Sequence, residues 1–299
     1  MMKSANRIAV VGLLILFTGC CNLEYYQVPA MPGTDTPIKK PTSLNVMTGD
    51  KSSVTDDINV FLLSEDGGEV KASFNPNTTV DVEAGKYLIL KVSEELEDAK
   101  LETHILTLPV SDSRAIEGFV ESAPDVHAAH KWVTLDANMY HEHEMVLAPY
   151  TRTVRFLVDF YGVDKSAVTS VHYELTGVNH IVDLLKDFGN GGSTGNCTLR
   201  GELQELTVHS DGSLSGLAEA RILGLDFTVS QELTVSVTLV DGTVMSITLD
   251  VNALLKDFYR MEPEDMVDLK AILSFGLDDD VTGSVEGWIS GWDEDLKGE

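Results

Sequence analysis

Four histidines within seventeen residues, His127, His130, His141 and His143, are the one cluster with metal-like spacing in this 299-residue sequence. Histidines at i and i+2, such as His141 and His143, lie on one face of a strand, as zinc ligation requires. The polar face of a strand over residues 140–147 would show the same side chains to water with no metal bound, and that plainer reading stands beside the metal site. Asp278-Asp279-Asp280 and Glu264-Asp265 lack a DxDxDG loop with a closing glutamate, so they read as a solvated acidic face instead of a calcium site. No Walker loop, HExxH or paired CxxC occurs, and Gly189 to Gly195 lacks the lysine and following helix of a phosphate cradle. No catalytic residue and no cofactor are assigned. Most aromatic residues fall at expected core positions; Trp132, Trp288 and Trp292 are the exceptions and the candidates for ligand-binding aromatics.

The remaining chemistry lies near the start. Lys3 and Arg7 precede an apolar run from Ile8 to Phe17, broken only by Gly12. Spanning a bilayer takes about 20 apolar residues, so the run has the length of an export signal and not of an anchor helix. It ends in Phe17-Thr18-Gly19-Cys20, which resembles the lipobox of bacterial lipoproteins. That resemblance implies cleavage between Gly19 and Cys20, with acyl chains on the Cys20 sulfur and on its new amino group. An ordinary secretory signal is the alternative, but the bulky Phe17 sits where such a site prefers a small residue. At about 0.8 kcal/mol per buried CH₂, several acyl chains hold a protein at a membrane almost permanently.

The formal net charge is −27, and loss of residues 1–19, which carry Lys3, Arg7 and no acid, leaves 19 basic against 48 acidic residues. Such a surface repels nucleic acid and anionic headgroups. With 43% hydrophobic residues the chain still builds cores, so the acidity reads as solvated surface and not as disorder. Three cysteines, one of them the lipid acceptor Cys20, make no disulfide framework, and Cys197 reads as an isolated thiol.

The elements that must position these residues read as strands. Residues 21–55, with Pro29, Pro32, Pro37 and Pro41, read mostly as a spacer. Residues 57–74 predict a hairpin turning at Glu65-Asp66-Gly67-Gly68, and residues 78–95 a turn at Ala84-Gly85 followed by a strand apolar on both faces. Residues 94–102 are rich in helix formers. Further strands are expected at residues 115–120, 132–135 and 140–147. Ala148-Pro149 marks a boundary, because proline restricts its predecessor to extended conformations and offers no N–H to a sheet. Beyond it, strands are expected at residues 151–161 and 168–178, a helical turn or two at 179–188, a flexible loop at 189–196, a hairpin at 232–251 turning at Asp241-Gly242, a short helix at 252–260 and a strand at 266–275. The reading is all-β: a lipoprotein signal at 1–19, a tether at 20–44, a sandwich at 45–149 and a second at 150–299.

In this order the lipobox, the linker, AGKYLILKV, VLAPYTRTVRFLVDF, VHYELTGVNHIVDL, ELTVSVTLVDG, LDVNALL and a late GW resemble the fimbrillin-like lipoproteins of Bacteroidales. The likeness is greatest to fimbrial anchor proteins and their uncharacterised relatives. It implies tandem transthyretin-like sandwiches and a non-enzymatic role at the outer membrane, with fimbrial or other surface subunits as partners. In that family a polymerising subunit loses its first strand to a protease, usually after an arginine, and a neighbour's strand fills the groove. Here no arginine lies between Arg7 and Arg114, although Lys39, Lys40 and Lys51 remain. Residues 281–299 also lack the long alternating run of a donated strand. Both departures point to a retained anchoring or terminal component. A surface glycan-binding module for nutrient capture and a metal-dependent enzyme at the histidines are the readings from other classes. The membrane face is left open, since only Glu24 lies near Cys20.

Overall fold

The computed structural model describes residues 41–49, 58–93, 96, 99–111, 118–187, 192–260, 266–275 and 281–289. Within these, the strands in the first half are β1 (Thr42–Thr48), β2 (Ile58–Leu63), β3 (Val70–Phe74), β4 (Thr79–Val82), β5 (Gly85–Ser93), β6 (Lys100–Glu102), β7 (Ile105–Thr107), β8 (Phe119–Val120), β9 (His127–Leu135), β10 (Tyr140–Met145) and β11 (Ala148–Pro149). The second half contributes β12 (Arg152–Tyr161), β13 (Val168–Asp183), β14 (Ser193–Glu202), β15 (Glu205–Val208), β16 (Leu214–Ile222), β17 (Glu232–Leu239), β18 (Val244–Asp250), β19 (Val267–Phe275) and β20 (Val281–Ile289). One α-helical turn, α1 (Asn252–Leu255), follows β18. The all-β expectation holds.

The strands form four sheets: a three-stranded sheet in the order β10-β1-β4, a five-stranded sheet β11-β9-β5-β2-β3, a five-stranded sheet β15-β16-β12-β19-β20 and a seven-stranded sheet built on β18-β17-β13-β14-β8 with β7 and β6 attached. Alternation explains where each face goes. On β12, Val154, Phe156, Val158 and Phe160 are buried while Thr153, Arg155, Leu157 and Asp159 are only partly so. On β17, Leu233, Val235 and Val237 are buried against them in the larger core. Burying one such side chain stabilises the fold by roughly 1.5–3 kcal/mol. Leu44, Val46, Val60, Leu62, Ile89, Val133 and Met145 form a smaller core between the first two sheets. β5 is buried on both faces, as its sequence predicts: Ile89 enters the smaller core, and Leu88, Leu90 and Val92 the larger.

Long-range pairing redraws several local readings. Residues 100–102, expected as helix, form β6 against β7, because Lys100, Leu101 and Glu102 find backbone partners in Thr107, Leu106 and Ile105. β13 continues to Asp183 where a helical turn was expected, since Ile181, Val182 and Asp183 pair with Thr107, Leu106 and Ile105. Residues 193–196, expected as loop, belong to β14 and pair with that same extension of β13; Gly189 to Gly191 lie outside the described residues. The end of the expected spacer is β1. Residues 281–289, part of the tail read as lacking the long alternating run of a donated strand, make nine consecutive pairs with β19 within the chain.

One glycine permits the long strand to change partners. Gly177 has φ +74°, and a Cβ there would lie 2.8 Å from Nε2 of buried Gln231. The pairing of β13 with β14 shifts between Leu175 and Val178. Before the bend β13 pairs with β17 and after it with β7. Glycine adopts positive φ without the cost that a side chain incurs. Much of the acidity is local turn chemistry: Asp164, Asp211, Asp226 and Asp241 each accept from the backbone N–H two residues on, from Ser166, Ser213, Thr228 and Thr243. Those bonds hold the four carboxyls below the usual range, the side-chain hydroxyl being the leading cause in the first three and the backbone bond in Asp241.

Candidate functional site

The site that the topology singles out is the slot filled by β1. The strand lies in the middle of its sheet, parallel to β10 from Ser43↔Tyr140 to Thr48↔Met145 and antiparallel to β4 from Thr42↔Val82 to Asn45↔Thr79. Leu44 and Val46 project into the smaller core and are fully buried. Both ends are clamped. The Thr42 hydroxyl donates to the Asp136 carbonyl at 3.2 Å and accepts from the Asn138 N–H at 3.1 Å. At the far end the Asn77 N–H donates to the Val46 carbonyl at 2.8 Å, and the Thr48 N–H donates to Asn77 Oδ1 at 3.3 Å. Asn77 and Asn138 take φ of 60° and 61°, a conformation that asparagine tolerates better than most residues.

Two ionisable groups lie close to this strand. Lys91, on the inner face of β5, is completely buried, and its Nζ donates to the Met145 carbonyl of β10 at 3.0 Å. Burial pushes its pKa down. His143 pairs in register with Val46, its Nε2 is buried without a hydrogen-bond partner, and burial, then Lys131 and His141, push its pKa down. Desolvation disfavours the charged form of each base. The arrangement provides two hydrogen-bonding strand edges and two apolar pockets at alternate positions. It can hold an extended strand, and it offers no nucleophile with an adjacent base.

The structure scatters the residues expected to do chemistry. His127 lies on β9 with Nδ1 3.4 Å from Asp125, and His130 pairs with Leu90 in a different sheet from β10. His141 Nε2 accepts from the Asp136 N–H at 2.9 Å, and half-buried His143 lies on β10 opposite Val46 of β1. Among the described residues, no three His, Cys, Asp or Glu side chains converge as metal ligands. Trp132 is 54% exposed on β9. Trp288 is placed on β20 opposite Asp268, while Trp292, Gly19, Cys20 and both acidic clusters lie outside the described residues. Cys197 is buried, and its thiol donates to the Val178 carbonyl at 3.1 Å.

Sequence reasoning missed Lys91, Asn77 and Asn138. The parity of Tyr87, Ile89 and Lys91 was available in AGKYLILKV, but a lysine on a strand is ordinarily solvated, and only the sheet above it encloses this one. Among the described residues no helix is long and apolar enough to cross a membrane.

No protein-family model and no curated protein matches the chain. Solved structures do. A candidate adhesin from Bacteroides ovatus superposes with TM-score 0.57 at 13% identity, over 82% of this chain and 93% of that one. The fimbrial anchor protein Mfa2 from Porphyromonas gingivalis does so with TM-score 0.52 at 17% identity, over 85% and 98%. A candidate polysaccharide-binding protein from Bacteroides thetaiotaomicron gives 0.51 at 11% identity, over 84% and 97%. The chain shares the fold of these Bacteroidales proteins along nearly their full length.

Proposed function

We propose that the protein is a non-catalytic lipoprotein, held to the outer membrane through Cys20, that anchors or terminates a fimbrium-like surface assembly by β-strand addition. The observation that carries this reading is β1, seated between β10 and β4 with Leu44 and Val46 fully buried. A subunit that keeps its first strand keeps whatever is covalently attached ahead of it. Twenty-one residues separate Cys20 from Thr42, a tether of at most about 75 Å when fully extended. The lack of arginine between Arg7 and Arg114 leaves an arginine-specific protease no place to release β1. The shared fold with a fimbrial anchor protein supports the same reading. Mass spectrometry of the protein recovered with native filaments tests it. The expected N-terminus is an acylated Cys20; a mature chain beginning after Thr48, or absence of the protein from filaments, overturns it.

Exposed Trp132, together with the fold shared with a candidate polysaccharide-binding protein, favours a glycan-binding surface module as the second reading. Glycan affinity abolished by Trp132→Ala, without association with filaments, would select it.

A further inference from the structure

The second sandwich is open along one side. β8 covers the outer edge of β14 only at Thr198 and Leu199, and β15 covers β16 only from Leu214 to Leu217. After Val120 the chain leaves β14 and crosses to β16, where the Ala123 N–H donates to the Arg221 carbonyl at 2.8 Å. Among the described residues no strand pairs with the outer side of residues 200–202 of β14 or of residues 218–220 of β16. Between these edges lies a depression of about 760 Å³ lined by Phe119, Tyr173, Gly201 and Ala218. It shares Gln204 and Leu217 with a second depression of about 760 Å³, and Ser111 and Phe119 with a third of about 330 Å³. Together they make one trough.

The chemistry of the trough selects its occupant. Buried Tyr173, 4% exposed and stacked on Phe156 at 4.1 Å, lies between the two edges. Arg200 lies 3.7 Å from the centre of the Phe119 ring and covers it, so no open aromatic platform is offered to a sugar. Arg200 is already committed to Glu174 through Nε at 2.8 Å. Glu121, Glu202 and Glu219 line the trough and are exposed. Uncovered strand edges recognise backbone, and surplus carboxylates recognise positive charge.

We infer that this seam is a docking site for an extended polypeptide strand carrying basic residues, supplied by a partner protein. The inference builds on the strand-addition reading above and locates the partner's strand at the β14 and β16 edges, away from the β1 slot. The partner backbone continues the edge at residues 200–202, its apolar residues fill the space beside Phe119 and Leu217, and its cations meet Glu121, Glu202 and Glu219.

The test is titration of the full chain, purified in detergent, with a synthetic octapeptide alternating lysine and valine, followed by calorimetry and amide hydrogen exchange. Binding is expected, with slowed exchange at residues 200–202 and 218–220. A peptide with the same side chains but alternate backbone nitrogens methylated should bind about tenfold or more weakly, having lost its edge hydrogen bonds. Glu202→Lys with Glu219→Lys should weaken the lysine peptide about three- to tenfold, and exposed Glu232→Lys on β17 should not. Failure of the octapeptide to bind, equal binding of the methylated peptide, protection confined to other strands, or binding of dextran in place of peptide each overturns the inference. An intact acylated Cys20 on filaments alongside such a failure would leave the anchor reading standing and reject only this site.

Discussion

At the scale of single residues, the interest of the first two sheets lies in two bases shielded from water. Lys91 is fully buried and His143 is half-buried on β10 beside β1, and burial lowers both pKa values. A base with a depressed folded pKa binds more protons when released, so its contribution to stability is complete above the unfolded value and is lost as pH falls through the folded one. For His143 the loss begins as pH drops below 6.5, and for Lys91 stability climbs as pH rises toward 10.5. Thermal melts from pH 8 to pH 5 should show a fall in melting temperature that His143→Leu reduces; an unchanged slope in that variant would reject the assignment. Lys91→Met keeps the volume and removes the desolvated amine, so it should be neutral or stabilising by about 1 kcal/mol in denaturant titration. A loss above about 3 kcal/mol would mean that the bond to the Met145 carbonyl outweighs the cost of burying the amine. In the sheet that holds β12 and β19, fully buried Asp268 is matched by a two-pronged bond from Arg155, Nε to Oδ1 and Nη2 to Oδ2 at 2.5 Å each. The pair lies in register across the parallel strands β12 and β19.

At the scale of elements, β1 governs the smaller core because it supplies the middle of a three-stranded sheet. Without it, β10 and β4 share no neighbour, and the smaller core loses Leu44 and Val46. Leu44→Ala should cost about 2–5 kcal/mol by equilibrium unfolding, the range for a fully buried leucine. The loss should fall on the first two sheets, with amides of β4 and β10 exchanging faster while those of β12 and β17 hold. Uniform acceleration across all four sheets would show instead that the two cores unfold together. Such coupling has a visible route, because β5 faces both cores and β7 pairs with β13 of the seven-stranded sheet.

For the whole molecule, charge bears on the proposed tether. A net charge of −27 keeps the surface hydrated and repels like-charged headgroups, so the anchoring proposed above would have to come from acyl chains on Cys20 and not from surface charge. Cys20→Ala should move the protein from the detergent-rich to the aqueous phase on detergent phase partition, with the same melting temperature as the wild type. Retention in the detergent phase would reject lipid at Cys20.

Sequence by itself determined whatever depends on neighbours a few residues apart. Strict alternation in ELTVSVTLVDGTVMSITLDV specifies β17, its turn and β18, and alternation likewise specifies β12 and the double-sided burial of β5, since side chains on a strand repeat with a period of two. Ala148-Pro149, read from the sequence as a boundary, forms the edge strand β11, with Pro149 paired to His127. What only the tertiary structure decided depends on partners far away along the chain. A three-residue strand such as β6 carries no periodicity, and it exists because Thr107 completes its backbone bonds. The extension of β13 past Gly177 follows from pairing with β7, more than seventy residues earlier. The separation of His127 and His130 from His141 and His143 follows from the assignment of β9 and β10 to different sheets. Lys91 carries the pattern of a core position in sequence, but its burial is a property of the sheet above it. The open seam beside β14 is legible in no local pattern, because an uncovered edge is defined by a strand that another part of the chain does not supply.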